Sequence, residues 1–196
     1  MKKNIRKIIE DKCELLKALE VSGYIDEMMR CNEVMLDSLQ KGGKIIIAGN
    51  GGSAADAQHF AGELMGKYFS DRKAIPAISL CVDPSVMTCI GNDYGYEKCF
   101  SRQIEGLGKK EDVFVAISTS GNSENIVQAI LKAKEKAIKC IGLLGNDGGK
   151  IGKLCEYKMI VPSCQTPRIQ EVHIFTIHML CDMIERELAG NGQKRD

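Results

Sequence analysis

No two cysteines stand in a C-x-x-C arrangement, and the nine present are odd in number and scattered over 196 residues. That argues against a disulfide scaffold. Cys81, Cys89, Cys140 and Cys181 sit in apolar surroundings and read as buried free thiols of a reducing cytosol. No run approaches the roughly 18 apolar residues of a membrane span. After the opening Met-Lys-Lys, Glu10, Asp11, Lys12 and Glu14 interrupt any apolar segment of a secretion signal. The net charge is only +1, with Lys and Arg interspersed among Asp and Glu. No basic stripe points to a nucleic-acid or membrane-surface partner. Neither a Walker loop nor a G-x-G-x-x-G fingerprint occurs, and there is no internal repeat, linker or low-complexity segment. These absences leave a soluble, cytoplasmic chain forming one domain over 1–196.

What is present suits that reading. Hydrophobic residues make up 44% and charged residues 27% of the chain, and a chain this long buries about 70% of its unfolded surface. Apolar spacing predicts helices over 2–20 and about 24–40, ended by Lys-Gly-Gly at 41–43. Strands are expected at 45–48, 74–80, 113–117, 140–144 and 157–161, the second entered through Pro76 and therefore at an edge. Helices are expected at 84–90, in a stretch running to about 107, at 124–136 and at 168–188, with a short one after 149. A polar loop is expected over 91–95 and a frayed tail over 190–196. Strands alternating with helices predict an α/β fold with a five-stranded parallel sheet covered on both faces. The first 41 residues carry no chemical constellation, and their helices are assigned to packing on the sheet or on a partner subunit.

Two stretches at the carboxyl ends of strands carry the chemistry, where ligands of such sheets bind. Residues 44–63 read Lys-Ile-Ile-Ile-Ala-Gly-Asn-Gly-Gly-Ser-Ala-Ala-Asp-Ala-Gln-His-Phe-Ala-Gly-Glu. An apolar strand breaks into glycines that allow positive φ and close approach, and Ser53 opens a helix whose N-terminus favours an anion. His59 and Glu63 follow at i and i+4, on one helical face. Residues 118–123 read Ser-Thr-Ser-Gly-Asn-Ser. Four hydroxyls in six residues exceed what a helix cap needs and suit a phosphate held without lysines.

The other two histidines, His173 and His178, share the last helix. Gln170, Ile174 and His178 form an i, i+4, i+8 row that drifts about 80° over about 12 Å of rise. Three histidines with carboxylates could make a zinc site, and spacing does not choose between His173 and His178.

The chain resembles the phosphoheptose isomerases of the sugar isomerase (SIS) domain superfamily. The matching strings are Gly-Asn-Gly-Gly-Ser at 49–53, Gln-His-Phe-Ala-Gly-Glu at 58–63, Gly-Asn-Asp at 91–93, Ile-Ser-Thr-Ser-Gly-Asn-Ser at 117–123, Asp-Gly-Gly at 147–149 and Arg-Ile-Gln-Glu-Val-His-Ile at 168–174, with His178. They span nearly the whole chain in the family's order. The resemblance implies a three-layer αβα sandwich of SIS, flavodoxin-like type, with a core over 44–189. It implies conversion of sedoheptulose 7-phosphate to D-glycero-D-manno-heptose 7-phosphate, the entry to heptose for bacterial lipopolysaccharide or capsule, in a homotetramer with active sites between subunits.

Residue by residue, the resemblance implies that Gly51, Gly52 and Ser53 line the sugar phosphate site and that Asn92 and Asp93 contact the substrate. Ser118, Thr119, Ser120 and Ser123 grip the phosphate. Zinc sits on His59, Glu63, Gln170 and His178, with Gln170 also touching substrate. Glu63 is the base and His178 the acid of an enediol proton transfer, so Glu63 serves as both ligand and base. His173 is a structural residue behind the site.

Two rivals share the fold. One is a non-catalytic replication-initiation regulator that binds the bacterial initiator protein and shares much of the 53–61 string; that group has no residues matching Glu63 and His178. The other is a sugar phosphate-sensing module, which needs an attached DNA-binding domain, whereas the residues before the first strand hold only two plain helices.

Overall fold

The computed structural model describes residues 1–189, so the expected frayed tail over 190–196 lies outside the described residues. Strands β1 (Ile45–Ala48), β2 (Ala77–Ser79), β3 (Val113–Ser118), β4 (Lys139–Gly145) and β5 (Tyr157–Val161) form one sheet in the order β2-β1-β3-β4-β5. Every neighbouring pair is parallel; one row of the register runs Ser79, Ile47, Val115, Ile141, Tyr157. The helices are α1 (Lys2–Val21), α2 (Tyr24–Gln40), α3 (Gly52–Met65), α4 (Pro84–Tyr94), α5 (Cys99–Leu107), α6 (Glu124–Glu135), α7 (Gly149–Leu154) and α8 (Thr166–Ala189), with a 3₁₀ turn at Tyr96–Lys98.

Side chains alternate across a strand, so the unbroken apolar run of β1 feeds two cores. Ile45 and Ile47 pack with residues of α2, α3 and α8, such as Met35, Phe60 and Ile177. Ile46 and Ala48 pack with residues of α5, α6 and α7, such as Phe100, Ile130 and Ile151. The result is the expected αβα sandwich. The order places β1 between β2 and β3, so the chain reverses its direction of travel across the sheet at the carboxyl ends of β1 and β3. A cleft opens at such a switch point.

Four details refine or depart from the expectations. First, α2 packs on the sheet, one of the two alternatives given for the N-terminal helices: Cys31 and Met35 are fully buried in the core with Ile45 and Ile47, and the Tyr24 hydroxyl pairs with Thr176 of α8 at 2.8 Å. On α1 an apolar stripe stays uncovered, with Ile5, Ile8 and Ile9 at 51%, 48% and 57% exposure, and Ile25 and Met29 of α2 are exposed as well. Second, residues 91–94 are not a loop but the last turn of α4. Asp83 caps the helix by accepting from the Ser85 and Val86 amides, and the helix runs through Gly91 to stop at Gly95, where φ is +89°. A glycine at positive φ, rather than the first glycine met, ends the helix.

Third, β2 is shorter than the expected 74–80, because Pro76 offers no N–H to the ladder; its carbonyl instead accepts from the Ile45 amide at 3.0 Å. It is an edge strand, as Pro76 implied. Fourth, Cys89 is exposed, with its thiol 3.6 Å from Asp93 Oδ2. All nine cysteines are free. Burial pushes the Cys31, Cys140 and Cys155 thiols up to about 12, which leaves them unreactive at neutral pH. Among the described residues no helix is long and apolar enough to cross a membrane.

Candidate active site

The wall of the cleft begins at the turn from β1 into α3. Gly51 has φ +56°, a conformation that strains any residue with a Cβ. At Gly52 a Cβ would lie 2.4 Å from the Gln170 amide nitrogen, so the side chain of Gln170 from α8 closes directly onto the first turn of α3. Ser53 is buried behind it. No side chain caps α3; its Ser53 and Ala54 amides donate back to the Asn50 and Gly51 carbonyls, both at 3.0 Å, and the positive end of its dipole lies at this turn.

The second wall is the turn from β3 into α6. The buried Ser118 hydroxyl accepts from the Gly121 amide at 3.2 Å and lies 3.3 Å from the Ser123 hydroxyl. Ser123 occupies the N-cap of α6 but makes no capping hydrogen bond. Its hydroxyl is therefore not consumed by its own helix, which is the point that separates an anion cradle from a simple cap. Ser120 accepts from the Asn122 amide at 3.2 Å, and the Thr119 carbonyl accepts from the Asn146 side chain at 2.9 Å, fixing the loop's shape.

The two walls are tied together by residues that periodicity did not single out. Asn50 and Asn125 form a reciprocal amide pair at 2.9 Å in both directions, and the Tyr96 hydroxyl donates to Asn50 Oδ1 at 3.0 Å. Asn125 is buried at the start of α6. Nothing in its local sequence marks it, since its role depends on a partner 75 residues away. Asn92 and Asp93 are exposed on the last turn of α4 and joined to each other at 2.8 Å.

At the far end of α3 lies the second constellation. His59 Nε2 is 2.9 Å from His178 Nε2 and 3.3 Å from Glu63 Oε1. The three ligand atoms all fall within 4.8 Å of one another. Two nitrogen lone pairs at that distance repel unless a proton or a cation lies between them. Two imidazoles and a carboxylate form a donor set that catalytic zinc accepts, and tetrahedral coordination spaces such ligand atoms about 3.3 Å apart. The residues present thus fit a divalent metal.

His178 also faces the Tyr68 ring at 6.0 Å. One turn before His59, Asp56 is half-buried with its Oδ2 unpartnered, and burial pushes its carboxyl up to about 6, an effect partly offset by His59.

His173 and His178 are five residues apart on α8, hence about 140° apart around it. His173 is fully buried, with Nε2 3.1 Å from the Leu144 carbonyl. A carbonyl only accepts, so Nε2 carries the proton and Nδ1 is left unpartnered. Burial pushes this imidazole down to about 4, so it is neutral. The structural role expected for His173 matches its position.

A SIS domain model matches residues 12–145. The chain is 51% identical over 185 residues to the phosphoheptose isomerase of Helicobacter pylori strain P12, covering 94% of this chain and 95% of that one. It is 50% identical to the phosphoheptose isomerase of Clostridium acetobutylicum, covering 95% and 93%. The solved phosphoheptose isomerase of Neisseria gonorrhoeae superposes with a TM-score of 0.88 at 40% identity, over 94% of this chain and 98% of that one. That of Francisella tularensis gives 0.89 at 32% identity, over 93% and 96%. With the sheet order, the paired turns at its switch point and the His59–Glu63–His178 cluster in place, the chain belongs to the phosphoheptose isomerase family of SIS-domain enzymes.

Proposed function

We propose that this chain interconverts sedoheptulose 7-phosphate and D-glycero-D-manno-heptose 7-phosphate by proton transfer through an enediol. The observation that carries the reading is that Glu63 of α3 and His178 of α8 meet across His59, on the helix that the β1 turn opens into. In this reading Ser118, Thr119, Ser120, Ser123 and the first turns of α3 and α6 hold the phosphate. Gly51, Gly52, Ser53, Asn92, Asp93 and Gln170 line the sugar.

Glu63 removes a proton from C1 of the ketose, and the C1–H electron pair forms the C1–C2 double bond as the carbonyl electrons move onto O2. His178 protonates O2 through the ring nitrogen turned away from His59. Collapse of the enediol returns the O1 proton to His178, makes C1 the carbonyl, and lets C2 take back a proton from Glu63. A bound divalent metal, zinc by resemblance, supplies charge stabilisation for the enediolate oxygens. His59, Glu63 and His178 would hold it, with Gln170 as a fourth ligand. Glu63 Oε1 is the oxygen facing His59, which leaves Oε2 for the proton.

The product would feed heptose into bacterial surface polysaccharide, and nine free cysteines suit the cytoplasm. We also assign the exposed Ile5, Ile8 and Ile9 stripe of α1 to a homotetramer whose subunits complete one another's sites. Replacing these three isoleucines with glutamate should then lower the mass measured by light scattering; an unchanged assembly refutes that role.

The direct test of the function is a coupled assay on sedoheptulose 7-phosphate before and after metal chelation. Turnover that chelation abolishes and zinc restores is expected. Binding without turnover would sink the enzyme reading, and full activity in the chelated protein would remove the metal from it.

A further inference from the structure

Behind the proton-transfer cluster lies a buried ion pair that the reaction does not use. Arg72 and Glu185 have side chains 8% and 1% exposed, and Arg72 Nε donates to Glu185 Oε2 at 2.9 Å. Arg72 comes from the segment between α3 and β2, whereas Glu185 lies on α8, seven residues after His178 and so on nearly the same face. The guanidinium also caps the carboxyl end of α3: Nη2 donates to the Glu63 carbonyl at 2.9 Å and Nη1 to the Leu64 carbonyl at 2.9 Å. These are carbonyls that a helix end leaves without intrahelical partners.

From the other side, Glu185 accepts from the Ser70 amide at 2.9 Å and the Phe69 amide at 3.2 Å. Those hydrogen bonds and Arg72 outweigh burial and hold its carboxyl below the usual range. The segment so pinned carries Tyr68, whose ring faces both Phe69 at 4.6 Å and His178 at 6.0 Å.

We propose that Arg72 and Glu185 are positioning residues, a strap that fixes the Glu63 end of α3 against the His178 helix and sets Tyr68 beside His178. The inference rests on the proton-transfer reading above. Proton transfer between groups on two separate helices needs their relative placement held to a fraction of an ångström. Packing alone lets helices slide. A planar fork that grips one helix's terminal carbonyls and the other helix's carboxylate does not. Lysine, a single point donor, cannot hold Glu185 and the Glu63 and Leu64 carbonyls at once as the guanidinium does.

The test compares Arg72→Lys and Glu185→Gln with the wild-type protein, well below each melting temperature, by steady-state kinetics and by NMR of the histidine rings. The protein has three histidines, of which His173 is an internal control. The strap predicts a fall in kcat of about tenfold or more with KM little changed, as a small misplacement costs. It also predicts shifted ring signals for His59 and His178 and an unmoved signal for His173. An unchanged kcat, or unmoved His59 and His178 signals, overturns the proposal even if the variants are less stable. Should the wild-type protein not isomerise the sugar phosphate, the proton-transfer reading fails, and the ring signals alone decide whether the strap sets this geometry. If either single variant fails to fold, the paired change Arg72→Met with Glu185→Leu keeps the interior filled without stranding a charge, and the same two readouts apply to it.

Discussion

The two proposed sites are built in different ways. The proposed anion cradle consists of two short contiguous turns, each following its own strand, with local hydrogen bonds such as Gly121 to Ser118 and Asn122 to Ser120. The proposed proton-transfer cluster joins α3 to α8, with His59 and His178 separated by 119 residues. Both turns hold local hydrogen bonds beside their fastenings to Asn125, Tyr96 and Asn146, whereas a cluster spanning two helices depends wholly on their packing. The cradle should therefore tolerate single changes with graded losses, and the cluster should fail sharply.

The largest effect is expected at the cluster. Glu63→Gln or His178→Gln should lower kcat by about 10³-fold or more, roughly 4 kcal/mol of transition-state stabilisation, with circular dichroism unchanged. A variant retaining a tenth of wild-type turnover would take that residue out of the proton transfer.

The fastening of α8 gives the next largest effect. His173 is neutral in the folded protein, with its pKa lowered from 6.5 to about 4. The unfolded chain therefore binds more protons between those values, so this contribution is fully present above pH 6.5 and is lost as pH falls through 4. The loss amounts to about 3 kcal/mol. In denaturant titrations at pH 7 and pH 4, His173→Phe should show a smaller acid-induced loss than the wild-type protein, and equal losses would contradict the neutral, buried imidazole.

The smallest effect belongs to the cradle. Ser118→Ala combined with Ser123→Ala should raise KM for the sugar phosphate about tenfold and leave kcat within about twofold, the pattern of binding shared by ground and transition states. A collapse of kcat instead would mean that the cradle positions the reacting carbons as well as the phosphate.

The same contrast explains what could be read from the residues. The strands, the edge position of β2 and both turns follow from contiguous strings, because apolar runs, glycines and hydroxyls act locally. The His59–Glu63 pair was visible as an i, i+4 spacing, but its third member was not, since His173 and His178 lie on one helix and only packing decides which faces the cleft. Resemblance chose His178, and the contact of His173 with Leu144 gives the physical reason. Asn125, Arg72 and Glu185 left no trace in periodicity, because each matters only through a partner far along the chain. The turn expected at 91–95 failed for a related reason: Gly91 can break a helix, but Asp83 and Pro84 had already nucleated one that runs on to Gly95.

In the proposed reaction a proton, not a hydride, moves between neighbouring carbons through a base open to water. Running the isomerisation of sedoheptulose 7-phosphate in deuterium oxide tests this most directly, with deuterium in the aldose product located by NMR. Glu63 is only partly buried, so its proton exchanges with solvent, and deuterium is expected at C2 of the product. Product formed without deuterium at that carbon, or no product at all, would contradict it.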